Sequence, residues 1–316
     1  MGINDIRHSI VIVSYNQEKY ILNAIKSIFE QEIPPYELVI LDDCSSDSTA
    51  KLAREYIAAN PHSFHCQVIV NESNLGIPRN MQKAAVVSSG NVLSLLAADD
   101  VWFSNGTRCV KNGIENNQLN PDKDNFVCFA PTLSMNPDGS NRFVTNYVIY
   151  KDSPLRTMIR KCAPFGKIGF SRSALIGVDY PVDIGLWADW VWDVSICDKV
   201  NKYYEINELC FVHYGQIGVS SNTDVNEIDE SYLRACIYLL EKYKKEFNFF
   251  DRMYLVGEKY YLLWKIKKEY QFLILSLFLM ILNSFNCGSL TSFKSMISRY
   301  MPEKIIEFVR KLSKIL

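Results

Sequence analysis

The chain has 316 residues, 48% of them apolar and 22% charged, which excludes a disordered or fibrous protein and allows one or two domains. A formal charge of −1 lacks the basic footprint of a nucleic-acid binder, so no nucleic-acid partner is expected. The near-zero total conceals an asymmetry: residues 1–241 hold 20 Lys+Arg against 29 Asp+Glu, and residues 242–316 hold 14 against 6.

In chain order, Ile10–Val13 is a continuous apolar run, and Glu18–Glu30 carries a helical stripe of Ile21, Leu22, Ile25, Ile28 and Phe29. Pro34-Pro35 breaks the chain before a second strand, Leu38–Leu41. Ser48–Ala59 is expected to be helical with Asp47 as its N-cap. Val68–Val70 reads as strand, Met81–Val87 as helix and Val92–Leu96 as strand. Apolar strands separated by helices imply a largely parallel sheet covered on both faces. From Asn105 to about Asp179 neither period is sustained, apart from an extended Phe126–Ala130. Beyond it, Trp187–Cys197 and Glu230–Tyr243 read as helices, Glu205–Tyr214 as extended, and Tyr254–Leu282 and Phe293–Leu316 as helical stretches.

Nine cysteines show neither a CxxC nor a zinc-ribbon spacing, so free thiols in a reducing cytosol are the expectation. No secretory signal is expected. The most apolar run, Phe272–Leu282, spans roughly 17 Å against a hydrocarbon core of about 30 Å, so no transmembrane helix is expected either.

Ligands of an open parallel sheet bind at the carboxyl ends of its strands. Those ends here are Ser14-Tyr15-Asn16, Asp42-Asp43-Cys44-Ser45-Ser46-Asp47 and Ala97-Ala98-Asp99-Asp100. Two acidic clusters thus converge on one edge, where carboxylates repel unless a cation or a hydrogen-bonded ligand intervenes. Oxygen donors alone favour Mg²⁺ or Mn²⁺ over zinc. No GxGxxG and no GxxxxGK[ST] is present to cradle phosphates.

Taken together, Ser9–Asn16, Val39–Thr49, Asn74-Leu75-Gly76, Ser89-Gly90-Asn91 and Leu96–Trp102 resemble the nucleotide-binding half of the inverting, family-two glycosyltransferases. The resemblance implies a GT-A fold, an α/β architecture with an open, mostly parallel, Rossmann-like sheet. It further implies a catalytic domain over residues 1–225 and a helical, basic appendage over 226–316. Ser14, Tyr15, Asn16, Asp42 and Asp43 would contact the base and ribose of a nucleoside-diphosphate sugar. Asp99 matches the last acid of the DxD motif, which ligates Mn²⁺ or Mg²⁺, with Asp100 and His213 as further candidates. Ala97 stands where the first acid of that motif is usual.

An acceptor hydroxyl must lose its proton as it attacks, which calls for a carboxylate base. Trp187-Ala188-Asp189-Trp190-Val191-Trp192-Asp193 resembles the family's Glu-Asp-Trp segment, which implies Asp189 as base, with Asp193 the competing candidate. Trp190 and Trp192 point to different sides of such a helix, and one of them is expected to offer its face to an acceptor sugar. Members of this size and tail charge build bacterial surface polysaccharides, O-antigen or capsule, on lipid carriers. The implied acceptor is therefore a lipid-diphosphate-linked saccharide, and the implied location is cytoplasmic, peripheral on the inner face of the plasma membrane. A non-catalytic sugar-nucleotide-binding relative, and a sugar nucleotidyltransferase, remain as alternatives.

The tail has its own pattern. Ile305, Phe308, Val309, Leu312 and Ile315-Leu316 form one stripe and cations the other, and Tyr260–Lys268 is composed similarly. This suits a helix in an anionic membrane interface, or a helix packed on the enzyme with a solvated cationic face.

Overall fold

The computed structural model describes residues 5–145, 153–161, 167–178, 181–214 and 224–287. The chain divides into two compact units, Met1–Asp183 with Ala188–Thr223, and Ile184–Trp187 with Asp224–Leu316.

The first unit is built on β1 (His8–Ser14), α1 (Ile21–Phe29), β2 (Glu37–Asp42), α2 (Thr49–Ala59), β3 (His65–Val70), α3 (Gly76–Val87) and β4 (Val92–Ala97). Strands β4, β1, β2 and β3 lie side by side, all parallel, with Ile10 opposite Leu38 and Ser94. Successive residues of a strand face opposite sides, and Ile10, Val11, Ile12, Leu38, Val39, Ile40 and Leu41 are all inaccessible. Both faces of the sheet are therefore covered, as the uninterrupted apolar runs require. Helix α1 buries Ile21, Ala24, Ile25 and Ile28 on its inward stripe. At the start of α2, Asp47 accepts the Thr49 N–H at 2.9 Å, one residue earlier than the Ser48 cap position.

The unit continues with β5 (Val101–Trp102), α4 (Gly106–Asn116), β6 (Phe126–Phe129), β7 (Thr132–Met135), β8 (Phe143–Thr145), α5 (Pro154–Lys161), β9 (Lys167–Ser171), α6 (Arg172–Leu175), α7 (Ala188–Lys199), β10 (Lys202–Glu205) and β11 (Phe211–Tyr214). The main sheet has the order β10-β6-β9-β4-β1-β2-β3, with β9 antiparallel to both neighbours. A second sheet, β5-β11-β7-β8, starts where β4 has ended. The expected single extended segment Glu205–Tyr214 is thus two strands in two sheets. Among its described residues, the stretch without a sustained period, 105–179, supplies four strands of three to five residues and three helices, of which only α4, at 11 residues, is as long as α2.

The amino-terminal edge of the sheet is locked by a buried carboxylate. Glu37 accepts hydrogen bonds from Ser9 Oγ at 2.6 Å and Ser89 Oγ at 2.7 Å, and from the backbone N–H groups of Ser89 and Gly90. Burial pushes its pKa up, but these bonds outweigh it and hold the carboxylate below its ordinary value. A lowered folded-state pKa contributes stability above the unfolded-state pKa, and that contribution is lost as pH falls through the folded value. Glu37→Gln should therefore lower Tm at pH 7 by more than at pH 4, measured by calorimetry at both pH values. Beside it, a Cβ on Gly90 would lie 2.2 Å from the Arg7 carbonyl oxygen. Ser89-Gly90-Asn91 is thus a packing device, far from the carboxyl edge where the site lies. Gly90→Ala should cost about 2 kcal/mol or more, read from urea unfolding.

The second unit contains α8 (Val225–Lys242), α9 (Phe249–Lys267) and α10 (Tyr270–Cys287). Trp187 stacks on Tyr232 of α8 with ring centroids 4.5 Å apart. Helix α8 meets α9 through Tyr232 Oη, which donates to the buried Glu258, and through the ion pair of Lys265 with Asp229. Lys268, at φ 59°, ends α9 in the left-handed region, so the helical stretch expected over Tyr254–Leu282 is two helices. No helix among the described residues is long and apolar enough to cross a membrane. The helix expected over Phe293–Leu316 lies outside the described residues.

Candidate active site

The carboxyl ends of β1, β2 and β4 are fastened together by the backbone. The Asp43 N–H donates to the Ser14 carbonyl at 2.8 Å, and the Ala98 N–H to the Val13 carbonyl at 3.0 Å. The loop after β1 is knitted to the loop after β2. Asn16, at φ 53°, accepts the Ser46 N–H on its side-chain oxygen, and its own N–H donates to Ser45 Oγ. The Tyr15 ring is left 46% exposed at this edge.

Asp42 and Asp43 are both buried, and both carboxylates are engaged inside the protein. Asp42 accepts from Ser14 Oγ, Ser45 Oγ and the Ser45 N–H at 2.6–2.9 Å. Asp43 accepts from Asn71 Nδ2 and from the N–H groups of Leu75 and Gly76 at 2.7–2.8 Å. The Asn74-Leu75-Gly76 segment is therefore held onto the end of β2 by Asp43, with Gly76 in a left-handed conformation at φ 78°. Asn71 in turn accepts from Lys83 Nζ at 2.7 Å. In this arrangement the acidic pair shapes the carboxyl edge of the sheet.

Asp99 and Asp100 follow β4 and have different surroundings. Asp100 is buried and accepts the Tyr214 N–H at 3.0 Å and His213 Nδ1 at 3.1 Å, so β11 is tied to the end of β4. Burial lowers the His213 pKa, but the bond to Asp100 and the charges of Asp100 and Asp99 outweigh it and raise the imidazole above its ordinary value. Asp99 is pushed up to about 6, by burial first and then by the charge of Asp100. Together with Lys19, Tyr20, Asn23, Val101, Pro137 and Tyr214 it lines a cavity of about 170 Å³. Lys19, Tyr20 and Asn23 sit at the start of α1 and carry no motif; in sequence only their position, three to seven residues beyond the Asn16 turn, points to the site.

The donor chemistry fits a hard divalent cation. A desolvated carboxylate raised by a neighbouring carboxylate marks a place short of positive charge. Among the described residues no three His, Cys, Asp or Glu side chains converge to hold a metal on their own. Mg²⁺ and Mn²⁺ sites of one or two carboxylates completed by substrate phosphates need no third. Asp99 is the residue suited to the role, with Asp100 and His213 taken up mainly by each other.

Asp189 lies in the first turn of α7, half-buried, and accepts the Trp190 N–H at 2.7 Å. It does not line the cavity at Asp99. Asp193, one turn on, is 3% exposed. Trp190 and Trp192 do not offer a face to an acceptor as expected: their exposures are 0% and 2%, and Trp190 Nε1 donates to the Met158 carbonyl of α5 at 2.8 Å. Helix α7 buries every position from Ala188 to Cys197 except Asp189, so both of its sides are packed and both indoles become core.

Residues 9–115 match the family described as glycosyl transferase family 2. The surrounding unit has the GT-A fold expected from the resemblance. Staphylococcus aureus TarS 1-349 in complex with UDP-GlcNAc is similar with a TM-score of 0.59 at 14% identity, over 85% of this chain and 83% of that one. A mannosyltransferase of Pyrobaculum calidifontis in complex with GDP-Man and Mn²⁺ is similar with a TM-score of 0.54 at 16% identity, over 93% of this chain and 79% of that one. Chondroitin synthase of Escherichia coli is 24% identical over 70% of this chain and 30% of its own length. The chain spans about a third of the length of the curated relatives that it matches at 31–33% identity.

Proposed function

We propose that the chain transfers a sugar from a uridine-diphosphate sugar to a hydroxyl of a saccharide acceptor, with inversion at the anomeric carbon. The observation that carries this reading is the convergence of three strand ends on one edge, with the exposed Tyr15 after β1 and the half-buried Asp99, which lines a cavity, after β4. Tyr15 offers a face on which a base stacks, and Ser14–Asn16 with Asp42 and Asp43 bound the nucleoside. Asp99, with Asp100 behind it, would hold Mn²⁺ or Mg²⁺, which when bound offsets the negative charge that grows on the departing diphosphate.

Asp189 accepts the proton of the acceptor hydroxyl as its oxygen bonds to the anomeric carbon and the bond to the diphosphate breaks. Its place at the solvent-accessible start of α7 favours it over the buried Asp193. The buried tryptophans leave the acceptor to other groups. The acceptor in this reading belongs to polysaccharide biosynthesis, which names such as chondroitin synthase support; the sequence resemblance extends it to O-antigen or capsule, with the growing saccharide on a lipid diphosphate. The basic residues 301–316 support a peripheral place on the cytoplasmic face of the membrane; they lie outside the described residues.

The test is release of UDP from a panel of UDP-sugars with and without Mn²⁺. Slow release from one donor, accelerated by the metal, is the expected result. Nucleotide binding without release from any donor would favour a non-catalytic relative.

A further inference from the structure

Helix α10 packs on α9 through one face and leaves large apolar side chains on the other. The side chains turned inward are Leu273, Ser276 and Leu279, at 3%, 1% and 8% exposure, and Ser276 Oγ donates to the Gly257 carbonyl of α9 at 2.9 Å. The side chains turned outward are Tyr270, Ile274 and Phe278 at 71%, 68% and 57%, with Leu275 beside them at 38%. Spacings of four residues place the first three in one row along the helix. A helix in water keeps its large apolar side chains inside and its hydroxyls out. Helix α10 instead carries large apolar side chains on both faces, Leu273 and Leu279 inward and Ile274 and Phe278 outward, and a helix that is apolar on its outer face as well is suited to a covering other than water.

The charges agree. Helix α10, Tyr270–Cys287, contains no Asp, Glu, Lys or Arg. Lys267 and Lys268 stand exposed just before it, and Lys267 Nζ lies 5.7 Å from the centre of the Phe272 ring. Tyr270, where the row begins, has the ring with a polar tip that favours a membrane–water boundary. Among the described side chains the row runs from Tyr270 to Phe278, about 12 Å at 1.5 Å per residue.

We propose that the Tyr270–Ile274–Leu275–Phe278 face of α10 inserts into the interfacial layer of an anionic phospholipid surface, with Lys267 and Lys268 at the headgroups. The proposal rests on the membrane-associated reading above and assigns it to a surface separate from residues 301–316.

The test uses the full chain and co-sedimentation with vesicles of phosphatidylglycerol and phosphatidylcholine. Ile274→Ser with Phe278→Ser should lower the partition coefficient at least about tenfold, with an unchanged Tm. Phe278→Trp should add fluorescence that lipid brominated in its acyl chains quenches, and this readout stands even where the serine variant folds poorly. Serine variants that bind like the parent, or added fluorescence in Phe278→Trp that bromolipid leaves untouched, would overturn the proposal. In that case loss of binding in an Arg310→Gln, Lys311→Gln, Lys314→Gln variant would still uphold the membrane-associated reading. A parent chain that ignores the vesicles would overturn both. Serine variants that turn a dimer into a monomer in light scattering would assign the face to a second copy and also overturn it.

Discussion

Asp99→Ala should reduce turnover by at least about 10²–10³-fold, the range seen when one well-placed electrostatic contact to a developing charge is removed. Asp99 is the carboxylate at the cavity, whereas Asp100 is engaged by Tyr214 and His213. The fold gains little from the ionised group, because burial and the Asp100 charge both oppose its ionisation. Asp99→Asn should therefore leave Tm at pH 7 unchanged or raised while it removes activity. Single-turnover rates and a melting curve on the same preparation check both halves. Near-native turnover would remove Asp99 from the diphosphate site.

The second large effect is on the proton acceptor. Asp189→Asn keeps the shape of the side chain and its acceptor oxygen for the Trp190 N–H, but it cannot take a proton. The expected loss is about 10²–10⁴-fold in kcat, with donor affinity unchanged. Asp193→Asn should instead act on stability, since that side chain is buried in α7. A collapse of kcat in Asp193→Asn with normal melting, and none in Asp189→Asn, would move the base one helical turn.

The parts of this fold that can be read in the sequence are those where one chemical pattern runs long enough to be unambiguous. Ile10–Val13, Leu38–Leu41 and Val92–Leu96 lie in strands covered on both faces, so their runs are apolar but for Ser94, whose buried hydroxyl is hydrogen-bonded to His8 and the Ile168 carbonyl, and the parallel sheet follows. The carboxyl-end rule then brings Ser14, Asp42 and Asp99 to one edge without any contact being known. Strands β6 to β11 are three to five residues long and interleave two sheets, and in so short a span neither period can be told from chance. The roles of the acids are legible only by type. Asp42 and Asp43 look like ligand groups in sequence, and the structure fills both with hydroxyl, amide and backbone donors from residues up to 33 positions away. The two tryptophans of α7 show the same limit: a spacing of two puts them on different sides of a helix, but only packing decides that both sides are covered. The outward face of α10 reads in sequence as one more apolar run, because burial is a property of neighbours that the run does not contain.

In the proposed function this edge binds a nucleoside diphosphate through a metal held by Asp99. Calorimetric titration of UDP into the chain, with and without Mn²⁺, tests it most directly when repeated on Asp99→Asn. Mn²⁺ should tighten UDP binding by at least about tenfold in the parent chain, and Asp99→Asn should retain the metal-free affinity while losing this increment. A UDP affinity indifferent to Mn²⁺, or an increment that survives in Asp99→Asn, would contradict it.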